Sequence, residues 1–361
     1  MKLTRRSLTL IELLLVLMIL AALAASAASF VEESDDQFRY QDTQNRLTSI
    51  REGILGRAAG GRSKRDGFVA DLGRVPVSLS DLLVKPLADY PWSIDDGSDG
   101  ELNELRGADR TTGVGGDPAT GLGHGWRGPY LAAQPRLSDG TLSYPDGWGN
   151  TFVDTDLNFG WTWLVNGNDD IQVQSKGRGG VEDGPTPPAD LYARDYPTTL
   201  PSGAINHLVE RRQFVVPGKG MVLTATITNS ASVPAEVRLR LRYFGRADAS
   251  GVPTLQNEVS SNRRQIALLS GNVYTVPASG TVTVSFSFNL PNTPSLIPLG
   301  AKALDLVDGA PGEPSPTSGV MVGPGAISPL YTSLTKTQIY HYEFWPGASP
   351  AQTLPVTFRV G

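Results

Sequence analysis

Apolar and polar positions follow three patterns along the chain, and each implies a different element. From Leu8 to Phe30 the residues are apolar or small, interrupted only by Glu12. At about 1.5 Å per helical residue this run is long enough for a hydrocarbon core of about 30 Å, so a membrane-spanning helix is expected. Lys2, Arg5 and Arg6 precede the run, and Glu32, Glu33, Asp35 and Asp36 follow it. That charge order keeps the basic end cytoplasmic and places the bulk of the chain outside. Phe38, Leu47, Ile50, Ile54 and Leu55 then recur at helical spacing, with no proline before Pro76, so the helix is expected to continue and to end near Gly56 to Gly61. Ile50, Ile54 and Leu55 would anchor a globular head. From about Pro197 the period changes to two. Glu236 to Tyr243 places an apolar residue at every second position, and Val282, Val284, Phe286 and Phe288 alternate with threonine and serine. Several such runs separated by turn signals point to an antiparallel sandwich.

Glu12 is the anomaly in the first pattern, because a carboxylate inside an apolar helix is costly and usually has a partner. Three readings accommodate the segment. Ala25-Ser26-Ala27 would suit a secretory cleavage site, and Thr4-Arg5-Arg6-Ser7-Leu8 would suit a twin-arginine signal; in both, Glu12 is awkward. In the third reading the helix is retained. Leu8-Thr9-Leu10-Ile11-Glu12 resembles the mature N-terminus of type IV prepilins and pseudopilins, which carry a short basic leader, a cleavage site and then an apolar helix with glutamate at its fifth position. The resemblance implies cleavage between Ser7 and Leu8, with Ser7 in place of the usual glycine and Leu8 in place of the usual phenylalanine. It also implies that the Glu12 carboxylate meets the new α-amino group of a neighbouring subunit, a pairing favoured where water cannot screen it.

The next part of the chain extends the resemblance. DLGRVPVSLSDLL, residues 71–83, is similar to the segment that follows the helix in pseudopilins. WRGPYL, residues 126–131, and DGWGN, residues 146–150, resemble motifs of the major pseudopilin of type II secretion, in the same order. SKGRGGVEDG, residues 175–184, with Asp190 beyond it, resembles that protein's glycine-rich calcium loop. By that resemblance Ser175, Glu182, Asp183 and Asp190 are candidate calcium ligands, although Gly179 stands where the family loop has an aspartate. Read from the residues alone, DGWGN is a turn with its indole packed beneath the head, Trp126 and Tyr130 are core anchors, and Asp169 and Asp170 cap turns.

Composition narrows the function classes. The net charge of -5 with mixed signs offers no basic face, which argues against nucleic acid. The chain has no cysteine, so disulfides and thiolate metal sites are excluded. His124, His207 and His341 are far apart and lack metal-ligand spacing, and no HExxH, phosphate loop or GxSxG elbow occurs. The chain therefore does not read as an enzyme. The stripe Arg238, Arg240 and Arg242 reads most simply as the solvated face of a strand, with recognition of an acidic partner or glycan as the alternative.

The expected fold class is α+β and pilin-like: a long N-terminal membrane-spanning helix, a small α/β head and an antiparallel β-sandwich. The corresponding ranges are a leader at 1–7, the helix at 8–58, the head at 59–196 and the sandwich at 197–361. The expected function is that of a structural subunit, minor or specialised, of a type IV pilus or type II secretion pseudopilus. Its partners would be other pilin-type subunits, the prepilin peptidase, an inner-membrane assembly platform and membrane lipid. The expected location is the inner membrane with outward domains, then a filament. The alternative is an exported binding protein released by cleavage after Ala27.

Overall fold

The computed structural model describes residues 10–56, 67–86, 93–94, 123–132, 134–135, 140, 142–150, 159–166, 170–183, 188–197, 208–217, 221–247, 253–254, 263–288, 296–298, 300–308, 340–344 and 351–360. Helix α1 spans Leu10–Leu55. It contains no proline, and its single glycine, Gly53, lies where a Cβ would come within 3.1 Å of the Tyr130 carbonyl oxygen. Helix α1 ends where Gly56 takes a positive φ of 85°, a conformation that costs glycine least. The two ends of α1 have opposite environments. Leu47, Ile50, Ile54 and Leu55 are buried, whereas the large apolar side chains from Leu10 to Leu23 are 49–81 % exposed.

Two short helices follow, α2 (Phe68–Leu72) and α3 (Ser80–Leu83). Gly73 ends α2 in the left-handed conformation, its N–H donating to the Val69 carbonyl. Arg74 and Asp81 then clamp the linker, with Nη1 to Oδ2 at 2.8 Å, while Asp81 also accepts from the Val77 amide. The strands of this part are β1 (Ser93–Ile94), β2 (Gly123–His124), β3 (Gln134–Pro135), β4 (Leu142–Ser143), β5 (Trp161–Val165) and β6 (Ile171–Ser175). Among the described residues they pair as three antiparallel two-stranded units, β1 with β2, β3 with β4, and β5 with β6, and β6 also bridges Val209 and Tyr196.

The C-terminal part contains β7 (Val215–Pro217), β8 (Met221–Asn229), β9 (Ala235–Ala247), β10 (Pro253–Thr254), β11 (Arg263–Leu269), β12 (Tyr274–Val276), β13 (Thr281–Phe288), β14 (Leu296–Pro298), β15 (Gly300–Asp308), β16 (Tyr340–Phe344) and β17 (Ala351–Val360). Strand β9 is the hub of a six-stranded sheet, paired with β11 and β12 along one edge and with β10 and β15 along the other, β16 lying beyond β15. A second sheet has the order β13-β8-β17. Its inward residues, Met221, Leu223, Ala225, Ile227, Phe286, Phe288 and Phe358, are buried. Its outward side carries threonine and serine pairs such as Thr224–Ser285 and Thr228–Thr281. One continuous apolar cluster joins α1, α2 and both of these sheets. Helix α2 sits directly on β15, where Gly300, at φ 104°, lies so close to Ala70 that a Cβ would come within 3.0 Å of its carbonyl oxygen.

The structure corrects two expectations from the sequence. Among the described residues no helix is long and apolar enough to cross a membrane. From Asp35 onward, α1 carries charged side chains. The membrane-spanning helix, and with it single-pass anchoring in an inner membrane, is therefore not supported. The β region is also not a purely antiparallel sandwich, because β17 runs parallel to β8, with an irregularity between Thr353 and Thr357. The strands otherwise form small sheets of two, three and six members.

Candidate functional site

The candidate site starts from the unequal halves of α1. In its first turns Glu12 is surrounded by exposed apolar neighbours, Leu10, Ile11, Leu13, Leu14 and Leu15. The position suits a carboxylate, since the N-terminal end of a helix carries partial positive charge. Ser7 and Leu8, the expected processing positions, lie outside the described residues.

The middle of α1 is gripped by the DGWGN turn. Thr43 Oγ1 donates to the Arg39 carbonyl at 2.9 Å and accepts from the Gly147 amide at 3.1 Å. Arg39 and Arg46 donate to the carbonyls of Trp148 and Pro145. Gly147 is demanded by space: a Cβ there would stand 2.2 Å from the Arg39 carbonyl oxygen. The other end of the turn is held by Asp146, which accepts from the Asn150 side chain at 2.8 Å and from the Ser175 hydroxyl at 2.7 Å. Burial pushes the Asp146 carboxyl up, against the hydrogen bonds from Ser175 and Asn150 that favour its charge. Trp148 is buried, and Trp126 and Tyr130 are half-buried against the core. Tyr130 and Arg127 both bond Asp71, so WRGPYL ties a loop to α2. The Asp170 carboxylate accepts from the Asn166 side chain within its own turn and from the amide of the distant Arg211, while Asp169 lies outside the described residues.

The four candidate calcium ligands do not converge. Ser175 donates to Asp146, and Glu182 accepts from Thr162. Asp183 and Asp195 each accept the other's backbone amide at 2.9 Å, closing the loop like a staple. Asp190 pairs with Arg178, whose other terminal nitrogen pairs with Asp36 of α1. Among the described residues no group of three or more histidine, aspartate or glutamate side chains could hold a metal ion. The Arg178 guanidinium joins the loop to the helix. Burial raises the Asp195 carboxyl to about 6, with the neighbouring charges of Asp183 and Glu182 also pushing it up against the Asp183 amide.

Arg178 and Asp195 were not singled out by sequence reasoning. Arg178 meets Asp36 across 142 positions, a separation with no local pattern, and Asp195 stands at the end of the range assigned to the head, just before the change of period at Pro197. The arginine stripe is also corrected. Arg238, Arg240 and Arg242 are 3 %, 2 % and 1 % exposed, so they do not form a solvated face. Asp305, equally buried, accepts bidentately from Arg240 at 3.1 and 2.6 Å and from Arg242 at 2.7 Å. Burial alone would raise the Asp305 carboxyl, but the Arg240 bonds and the charges of both arginines outweigh it and hold it below the ordinary range. The visible signal was the alternation Ala303, Asp305, Val307, which sets one acid among apolar residues on a strand.

The chemistry of these arrangements is cohesive: clamps, staples and ion pairs join α1 to the head. In comparisons with known proteins, no family model matches the chain, and no curated protein or solved structure matches it significantly.

Proposed function

We propose that this chain is a structural subunit of a filament of the type IV pilin or pseudopilin kind, packed through the N-terminal half of α1. The observation that carries the reading is the division of one helix into a buried half and a bare apolar half. Between Leu10 and Leu23 about four turns present leucine, isoleucine, valine and methionine side chains that the described residues of the same chain leave exposed. An apolar surface of this extent is costly in water, and the same helix from another copy is its natural cover. The motif LTLIE fits this reading, because Glu12 then has a defined partner in the amino group freed on a neighbouring Leu8.

In this reading the turn at 146–150 and the loop at 175–196 set the angle at which the bare half leaves the head. The apolar half supplies most of the cohesion and Glu12 supplies the register. A prepilin peptidase and other subunits of the same kind are the partners it requires. The test is incorporation of Glu12→Ala and Glu12→Gln into filaments in the native host, with cellular protein levels as the control. The expected result is a normal amount of folded subunit with incorporation lowered at least tenfold. Normal incorporation of both variants would remove the register role.

A further inference from the structure

The four side chains that resemble calcium ligands each have a partner in the chain, and those partners lie on different elements. Ser175 donates to Asp146 of the turn, Glu182 accepts from Thr162 of β5, and Asp183 accepts the Asp195 amide within the loop. Calcium takes six to eight oxygens around one point, and oxygens distributed in this way do not fit it. Asp190 is the ligand whose partner is itself a cation. Arg178 pairs with Asp190 through one terminal nitrogen and with Asp36 of α1 through the other. A divalent ion set against Asp190 would face that guanidinium, and like charges at such range repel. Space does not bar an aspartate from position 179, because a Cβ on Gly179 would meet the Ala193 carbonyl oxygen at 3.5 Å, an ordinary contact.

The loop holds Arg178 in place for this pairing. Its backbone N–H donates to the Tyr192 carbonyl at 2.9 Å, and the Tyr192 amide donates to Asp190 at 3.0 Å, so Arg178 and Asp190 are held across the loop from each other. The Asn150 side chain donates to the Gly177 carbonyl at 2.8 Å, which ties the start of the loop to the DGWGN turn. One helical turn beyond Asp36, Tyr40 meets the rings of Tyr192 and Tyr196 edge to face, with centroids 5.9 and 4.9 Å away. The rings give the contact between loop and helix its apolar part, and the guanidinium gives it charge. A single exposed ion pair contributes little to stability. A planar fork shared by two carboxylates fixes a position, because it suits both at once.

We infer that Arg178 does in this chain what the resemblance assigns to calcium: its guanidinium locks the loop at 175–196 onto α1, and the lock is independent of divalent cations. Arg178 is a positioning residue for the helix. The inference rests on the filament reading only for what the lock serves, the angle at which the bare half of α1 leaves the head. The lock itself is measurable on the isolated subunit.

The test is hydrogen exchange of the full chain in detergent micelles, read at the amides of 175–183 and 188–196. Exchange is compared in EGTA and in millimolar calcium chloride at matched ionic strength. In the wild type, protection of the loop should be the same in both. Arg178→Gln removes a group that is 48 % exposed, so it should fold, and exchange in the loop should rise about fivefold. Arg178→Lys, with one nitrogen to share, should recover part of the protection. Asp36→Asn should also speed exchange, and combining it with Arg178→Gln should add nothing, since both remove one interaction. Loop protection in the wild type that saturates with calcium and is lost in EGTA would overturn the inference. Loop exchange left unchanged by Arg178→Gln would overturn it as well. Failure of the filament reading shows elsewhere, in normal incorporation of the Glu12 variants, and leaves these exchange rates as they are.

Discussion

Gly147 shows how much of this architecture depends on single atoms. Its α-carbon lies against the backbone of α1 so closely that a methyl group would meet the Arg39 carbonyl oxygen at 2.2 Å and the Thr43 amide nitrogen at 2.6 Å. Neither is the movable end of a side chain, so helix and turn would have to separate. Gly147→Ala is expected to cost about 1–3 kcal/mol, a typical overpacking penalty, and to loosen Arg39, Thr43 and Arg46 from the turn together. Denaturant unfolding measures the loss; an unchanged midpoint would mean that the turn does not clamp the helix. The glycine was legible in the sequence as part of a turn, but its reason was not. Gly149 takes a positive φ of 73°, as a turn glycine does, whereas Gly147 is required by close approach to a helix about 100 positions away.

Among the elements, the loop after β6 is the one whose firmness should follow pH. Asp195 has its carboxyl raised to about 6, against about 3.9 in an unfolded chain, and burial is the main cause. A raised carboxyl favours the folded loop while it is protonated. This contribution is complete below about pH 4 and is lost as the pH rises through 6. Amide exchange at Asp183 and Asp195 should therefore be better protected at pH 5 than at pH 7, after correction for intrinsic exchange rates. Asp195→Asn should flatten the dependence; a wild-type loop protected equally at both values would refute the assignment.

Element types were more legible than their partnerships. The alternation in residues 236–243 gives a strand, and the structure has β9 there, but alternation cannot distinguish a face covered by the same chain from one in water. The buried arginines follow from that ambiguity, because their counter-ion Asp305 lies more than 60 residues away in sequence. The candidate calcium ligands lie apart for a related reason. Acidic residues close in sequence were read as one cluster, while the fold distributes them among Thr162, Asp195, Arg178 and Asp36.

For the molecule as a whole, the sequence conveyed a long apolar run with a displaced charge, and the structure adds where that run stops being covered. Leu47, Ile50, Ile54 and Leu55 belong to the same apolar cluster as α2 and the outer sheets, and the side chains from Leu10 to Leu23 remain exposed. The parallel pairing of β17 with β8 could not be read from residue patterns, since alternation is the same in both strand directions. Likewise, the contact of α2 with Gly300 of β15 joins segments that the sequence divided at 196/197. The central claim is that the bare half of α1 persists in the mature protein as its assembly surface. Mass spectrometry of the N-terminal peptide from the native host tests this most directly. The account predicts a mature chain beginning at Leu8, which retains Glu12 and the exposed apolar turns. A chain beginning at Ala28 would lack that half of the helix and would contradict assembly through it.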